Sequence, residues 1–131
     1  MKNAAKTIML VDDDPVLLAT CGAKLEELGY AVIIARSGDQ ALRQLRAQNI
    51  DAVFLDILMP DKDGIETLLE MKKMKSSVRI YVMSGGGRAG LTTFLDIAMQ
   101  FGADGQLRKP LTVADMVECL KAPESAVWEV S

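Results

Sequence analysis

Thr7-Ile8-Met9-Leu10-Val11-Asp12-Asp13-Asp14-Pro15 holds a complete transition from strand to helix. Ile8 through Val11 form an apolar run with no polar alternation. Such a run predicts a strand buried on both faces, as in a parallel sheet covered by helices. Three acids close the run. Asp14-Pro15 then supplies an N-cap followed by proline at the first helical position.

The same unit recurs along the chain. Residues 7–12, 31–35, 52–57, 78–83 and 105–108 read as strands, and Val53-Phe54-Leu55 repeats the uninterrupted burial of the first. Helical spacing fills the intervals: Leu17, Cys21, Leu25 and Leu28; Leu42 and Leu45; Ile65, Leu68, Leu69 and Lys72; Leu91, Leu95 and Ala98; Val113, Met116, Val117 and Leu120. Ser37 with Gln40 has the spacing of a capping box, and Gly29 and Gly102 stand just past two helix ends. The pattern is an α/β fold, a doubly wound (βα)5 parallel sheet with helices on both faces. One domain spans 1–122, and 123–131 form a short tail that docks through Trp128.

Composition narrows the chemistry. At 131 residues the chain fills one domain with a proper core. No apolar run approaches the roughly 18 residues of a membrane helix, and the first residues lack the pattern of a secretory signal, so a cytoplasmic protein without membrane contact is expected. The net charge of -3, with no cluster of Lys or Arg, argues against direct nucleic-acid binding. The chain has no histidine, which removes imidazole acid/base chemistry and His-ligated metal sites. Cys21 and Cys119 fall on helical patterns and read as reduced core residues.

Ligands of a doubly wound sheet bind beyond the carboxyl ends of its strands. The first strand ends in Asp12-Asp13, the third in Asp56, the fourth in Ser84 and the fifth in Lys109. Three carboxylates gathered there repel one another and call for a cation. An all-oxygen donor set selects a hard ion such as Mg²⁺. Asp14 is set apart as a helix cap. Asp56, leaving an apolar strand, is the candidate nucleophile for an acyl phosphate. Lys109 offers positive charge and Ser84 a hydroxyl donor to phosphoryl oxygens.

Val11-Asp12-Asp13-Asp14, Leu55-Asp56-Ile57-Leu58-Met59-Pro60-Asp61-Lys62-Asp63-Gly64, Met83-Ser84-Gly85 and Lys109-Pro110, in this order and spacing, resemble the response-regulator receiver family from Thr7 to about Ala122. The resemblance implies a flavodoxin-like sheet of order 2-1-3-4-5, with Asp56 as the phosphorylation site. It implies Mg²⁺, or Mn²⁺ in its place, held by Asp12 (largely through water), Asp13, Asp56 and the backbone carbonyl of Leu58. Ser84 and Lys109 would stabilise the phosphoryl group, and Lys109-Pro110 would be cis. The phosphoryl donor would be a sensor histidine kinase or a histidine phosphotransfer protein, and the output an unidentified downstream protein. The domain would promote its own phosphotransfer and autodephosphorylation without being a dedicated enzyme.

Gln106 departs from the family, which usually has an aromatic switch residue there. It reads either as a relay together with Gly85 and Gly86 in a mobile loop of glycines 85–87, or as an exposed position near a sheet edge. Leu58 and Gly86 are further departures, apolar or lacking a side chain beside the acceptor. Rival readings are a phosphorelay intermediate or phosphate sink, and an interaction module that works without phosphorylation. An aspartate-nucleophile phosphohydrolase would want a second aspartate where Leu58 stands. A flavodoxin-like cofactor binder would not meet phosphate with three aspartates.

Overall fold

The computed structural model describes residues 6–58, 64–75, 77–85, 91–121 and 128–130. Strands and helices alternate: β1 (Thr7–Val11), α1 (Pro15–Glu27), β2 (Ala31–Ala35), α2 (Gly38–Ala47), β3 (Ala52–Asp56), α3 (Gly64–Met74), β4 (Arg79–Gly85), α4 (Leu91–Gln100), β5 (Gly105–Lys109), α5 (Val113–Lys121) and β6 (Trp128–Val130). The sheet is parallel in the order β2-β1-β3-β4-β5-β6. The expected order 2-1-3-4-5 is present, extended by one edge strand.

Two cores follow from the two sheet faces. On one, Ile8, Leu10, Phe54, Tyr81, Met83 and Leu107 pack under Leu18, Cys21 and Leu25 of α1 and Met116, Cys119 and Leu120 of α5. On the other, Met9, Val11, Val53, Leu55, Ile80 and Val82 pack under α2, α3 and α4 through Leu42, Leu45, Leu68, Met71 and Ala98. The alternation of faces along each strand, with both faces covered, is why the strand sequences are apolar throughout. Both cysteines are free and buried. Burial pushes the Cys119 thiol up to about 12, which keeps it protonated and unreactive.

Local signals set the helix ends. The Asp14 side chain accepts from Val16 N at 2.9 Å and Leu17 N at 3.4 Å, and Pro15 begins α1. Ser37 Oγ accepts from Gln40 N at 3.1 Å. The return bond of this cap goes from Arg36 N to Gln40 Oε1 at 2.8 Å, one residue before the position a capping box uses. Gly29 and Gly102 have φ of 100° and 108°, the left-handed conformation that ends a helix without a Cβ clash. The end of α5 is closed by side chains from β4: Tyr81 Oη and Arg79 Nη2 donate to the Cys119 carbonyl at 3.0 and 3.2 Å.

Two expectations, on Gly85 and Gln106, are corrected, and the expected docking of the tail at Trp128 takes the form of a strand. Gly85 belongs to the end of β4 and not to a loop; Gly86 and Gly87 lie outside the described residues. Within 123–131, residues 128–130 form a strand on the edge of β5, while Pro123 lies outside the described residues. Gln106 is not exposed: its residue is only 8% accessible, because β5 is an interior strand with Val82 paired on one side and Glu129 on the other.

Candidate functional site

β1 and β3 are neighbours, with Val11 opposite Leu55. Their next residues therefore leave the sheet side by side, and this register brings Asp12, Asp13 and Asp56 together. Ligand oxygens of the three carboxylates all lie within 4.8 Å of one another. Asp12 is fully buried and Asp56 nearly so, while Asp13 is exposed. Asp12 Oδ1 accepts from Asp14 N at 3.0 Å, and Asp56 Oδ1 accepts from Leu58 N at 3.0 Å. Each chain turn thus fixes the carboxylate that begins it.

Lys109 reaches the cluster from the end of β5. Its Nζ donates to Asp12 Oδ2 at 2.6 Å and stands 3.6 Å from Asp56 Oδ2. Burial pulls the Lys109 ammonium pKa down, but the hydrogen bond to Asp12 and the charges of Asp56, Asp12 and Asp14 outweigh it and leave the value raised. Lys109 is therefore a fixed positive charge. Asp56 moves the other way for a carboxyl: burial pushes it from 3.8 to about 6, the Leu58 N–H and Lys109 oppose the rise, and Asp12 and Asp13 add to it.

Three carboxylates thus face one ammonium, and a largely buried carboxyl is held far from its ordinary ionisation. A divalent cation among these oxygens would relieve both, so the donor set fits a hard metal ion. No described element offers His or a thiolate to the cluster, which fits an oxygen-preferring ion.

The remaining predicted residues surround this centre unequally. Ser84 is buried at the end of β4, one residue past the Met83 that pairs with Asp56. The hydrogen bond its hydroxyl makes is a long one, 3.5 Å to the Gly85 carbonyl. Leu58 presents a 42% exposed side chain beside Asp56. The Lys109-Pro110 bond is cis. Gln106 lies on β5 three residues before Lys109, away from the carboxylates. Residues 59–63 of the motif lie outside the described residues.

Gly64 has a structural role that spacing did not reveal. It begins α3 directly against the end of β3, its N–H donating to the Ile57 carbonyl at 3.3 Å. A Cβ placed there would come within 2.3 Å of the Ile57 Cα, so α3 can seat itself behind the site only with glycine at this point. A glycine at a helix start, soon after a strand-ending acid, is the available signal.

Residues 8–121 match the response regulator receiver domain family. The transcriptional regulatory protein CpxR of Escherichia coli K12 is 34% identical over 115 residues, which is 88% of this chain and 47% of CpxR. A response regulator from Burkholderia pseudomallei, solved with a phosphorylated aspartic acid, calcium ion and citrate, superposes with a TM-score of 0.81 at 27% identity, covering 92% of this chain and 69% of that one. The Thermotoga maritima response regulator TrrA, solved with Mg²⁺ and BeF, gives 0.74 at 29% identity over 88% and 96%. The chain belongs to the response regulator receiver domain family, the phosphoryl-accepting domain of two-component signalling. It spans less than half the length of the curated relatives it matches.

Proposed function

We propose that Asp56 is the phosphoryl acceptor of this receiver, that Mg²⁺ is its working ion, and that the donor is a phosphohistidine on a sensor kinase or phosphotransfer protein. The observation that carries this reading is the meeting of Asp12, Asp13 and Asp56 oxygens within 4.8 Å, with Lys109 Nζ against two of them.

Asp12 and Asp13, with Asp56 itself, would hold the ion, helped by the Leu58 backbone carbonyl; Mn²⁺ suits the same donors. A bound divalent cation supplies positive charge against the transferring phosphoryl oxygens and favours the ionised form of Asp56. The chain's own residues do the rest. Leu58 N–H holds one oxygen of Asp56 and leaves the other to attack. As the new P–O bond forms, the P–N bond to the donor imidazole breaks and the imidazole leaves with the electron pair. Lys109 stands where charge on the phosphoryl oxygens can be compensated, and Ser84, by leaving its long bond to the Gly85 carbonyl, can donate to one of them. Signalling then follows from movement of Ser84, next to last in β4, and Lys109, last in β5, which connect the site to the β5 edge, with Gln106, Gly85 and Gly86 as relay residues. Receivers of this kind are phosphoacceptors that assist their own transfer and autodephosphorylation rather than dedicated enzymes. The output partner is a protein.

The test is incubation with acetyl phosphate. Intact mass should show one added phosphoryl group in Mg²⁺, none in EDTA, and none for Asp56→Asn. An adduct that survives both controls would refute the assignment of acceptor and ion.

A further inference from the structure

The position of β6 is at odds with the helix that leads to it. β3-α3-β4 and β4-α4-β5 both advance across the sheet in one direction with their helices on the Val53–Val82 face. β5-α5-β6 advances in that same direction, yet α5 packs beside α1 on the opposite face, through Met116, Cys119 and Leu120. The β5-α5-β6 crossover therefore has the opposite hand to its two predecessors. Parallel crossovers are right-handed in about 98% of cases, because a right-twisted strand and a right-handed helix pack back onto the sheet only that way. The last crossover is the left-handed one.

The pairing itself is ordinary. Gly105, Gln106 and Leu107 of β5 stand opposite Trp128, Glu129 and Val130, and without β6 the outer N–H and C=O groups of β5 would form an open edge. The edge thus accepts a parallel strand of this sequence, while the connection within one chain carries an unfavourable hand. The same strand delivered by a second copy makes the same pairs without that constraint. Strand exchange between identical chains is a low-cost route to a two-fold dimer, and its interface is self-complementary.

We propose that two copies of the chain exchange residues 128–130, each strand filling the β5 edge of the other. The interface lies on the strand that ends in Lys109, so the dimer joins two sites through their β5 strands.

Mixing two singly substituted chains tests this. Gln106 and Glu129 are register partners. A Gln106→Cys chain mixed with a Glu129→Cys chain and oxidised should give a disulfide-linked heterodimer. Native mass of the unsubstituted chain should show a dimer. Trp128→Pro and Glu129→Pro should be compared with it: successive N–H groups point to opposite edges, so one of these two removes a ladder donor and should weaken the dimer about tenfold or more. Phosphoryl acceptance should persist in both. A chain that stays monomeric while the Gln106→Cys/Glu129→Cys double variant closes its disulfide internally would overturn the proposal. So would a dimer indifferent to both prolines.

Discussion

Asp56 ends a strand whose five residues are all buried, so its carboxyl loses water before it gains any partner. A rise from 3.8 to about 6 corresponds to roughly 3 kcal/mol of preference for the neutral form. Because the folded value lies above the unfolded one, this contribution to stability is fully present below about pH 4 and is lost as pH rises through about 6. Without divalent cation, wild-type stability should therefore fall relative to Asp56→Asn between pH 4 and 6 and run level with it above. Urea unfolding of both proteins across that range checks this, and parallel curves would contradict it. Mg²⁺ affinity should rise over the same interval as the proton is displaced. Lys109→Met leaves the buried Asp12 without its 2.6 Å partner. It should lower stability by about 3 kcal/mol, with part of the loss recovered on adding Mg²⁺. Asp12, Asp13 and Asp56 were legible in the sequence because they close strands of unmistakable apolar character, and Lys109 because it stands before Pro110 at the end of a fifth, more polar strand segment. The burial of Gln106 was not, since it depends on a covering strand that no local pattern announced.

The elements owe their placement to a few contacts that can be tested singly. Gly64→Ala sets a Cβ against the Ile57 backbone, which cannot rotate aside. The change should cost about 3 kcal/mol and displace the start of α3 behind the site. Thermal unfolding with and without Mg²⁺ separates the two effects, since a displaced loop also weakens the gain from the ion. Phe54 is fully buried, its ring stacked on Tyr81 with centroids 5.3 Å apart. Phe54→Ala should cost about 3–5 kcal/mol in denaturant unfolding. Five strands and five helices could be read from periodicity and caps, because each element is long enough to show a repeat. Three-residue β6 is not. Lys72, read as part of the helical stripe of α3 and found in that helix, also donates to the Val78 carbonyl at 2.8 Å and to Asp104 at 3.0 Å. It thereby ties α3 to the segments around β4 and β5, a long-range pairing that spacing within a helix cannot reveal.

At the scale of the molecule, the sheet does the gathering. Parallel strands all point their carboxyl ends to one edge, so residues 12, 13, 56, 84 and 109, far apart in the chain, converge without any one loop specifying the site. A hollow of about 280 Å³ lined by Lys6, Asp51 and Arg79 lies at the other end of the strands and takes no part in this chemistry. Among the described residues no helix is long and apolar enough to cross a membrane. The central claim is that, of the three clustered carboxylates, Asp56 carries the phosphoryl group. Borohydride reduces an acyl phosphate on aspartate to the alcohol and leaves free carboxylates intact. After reaction with acetyl phosphate and Mg²⁺, peptide sequencing by mass spectrometry should find that reduced side chain at position 56. Its appearance at position 12 or 13, or at none of the three while the intact mass shows the adduct, would contradict the account.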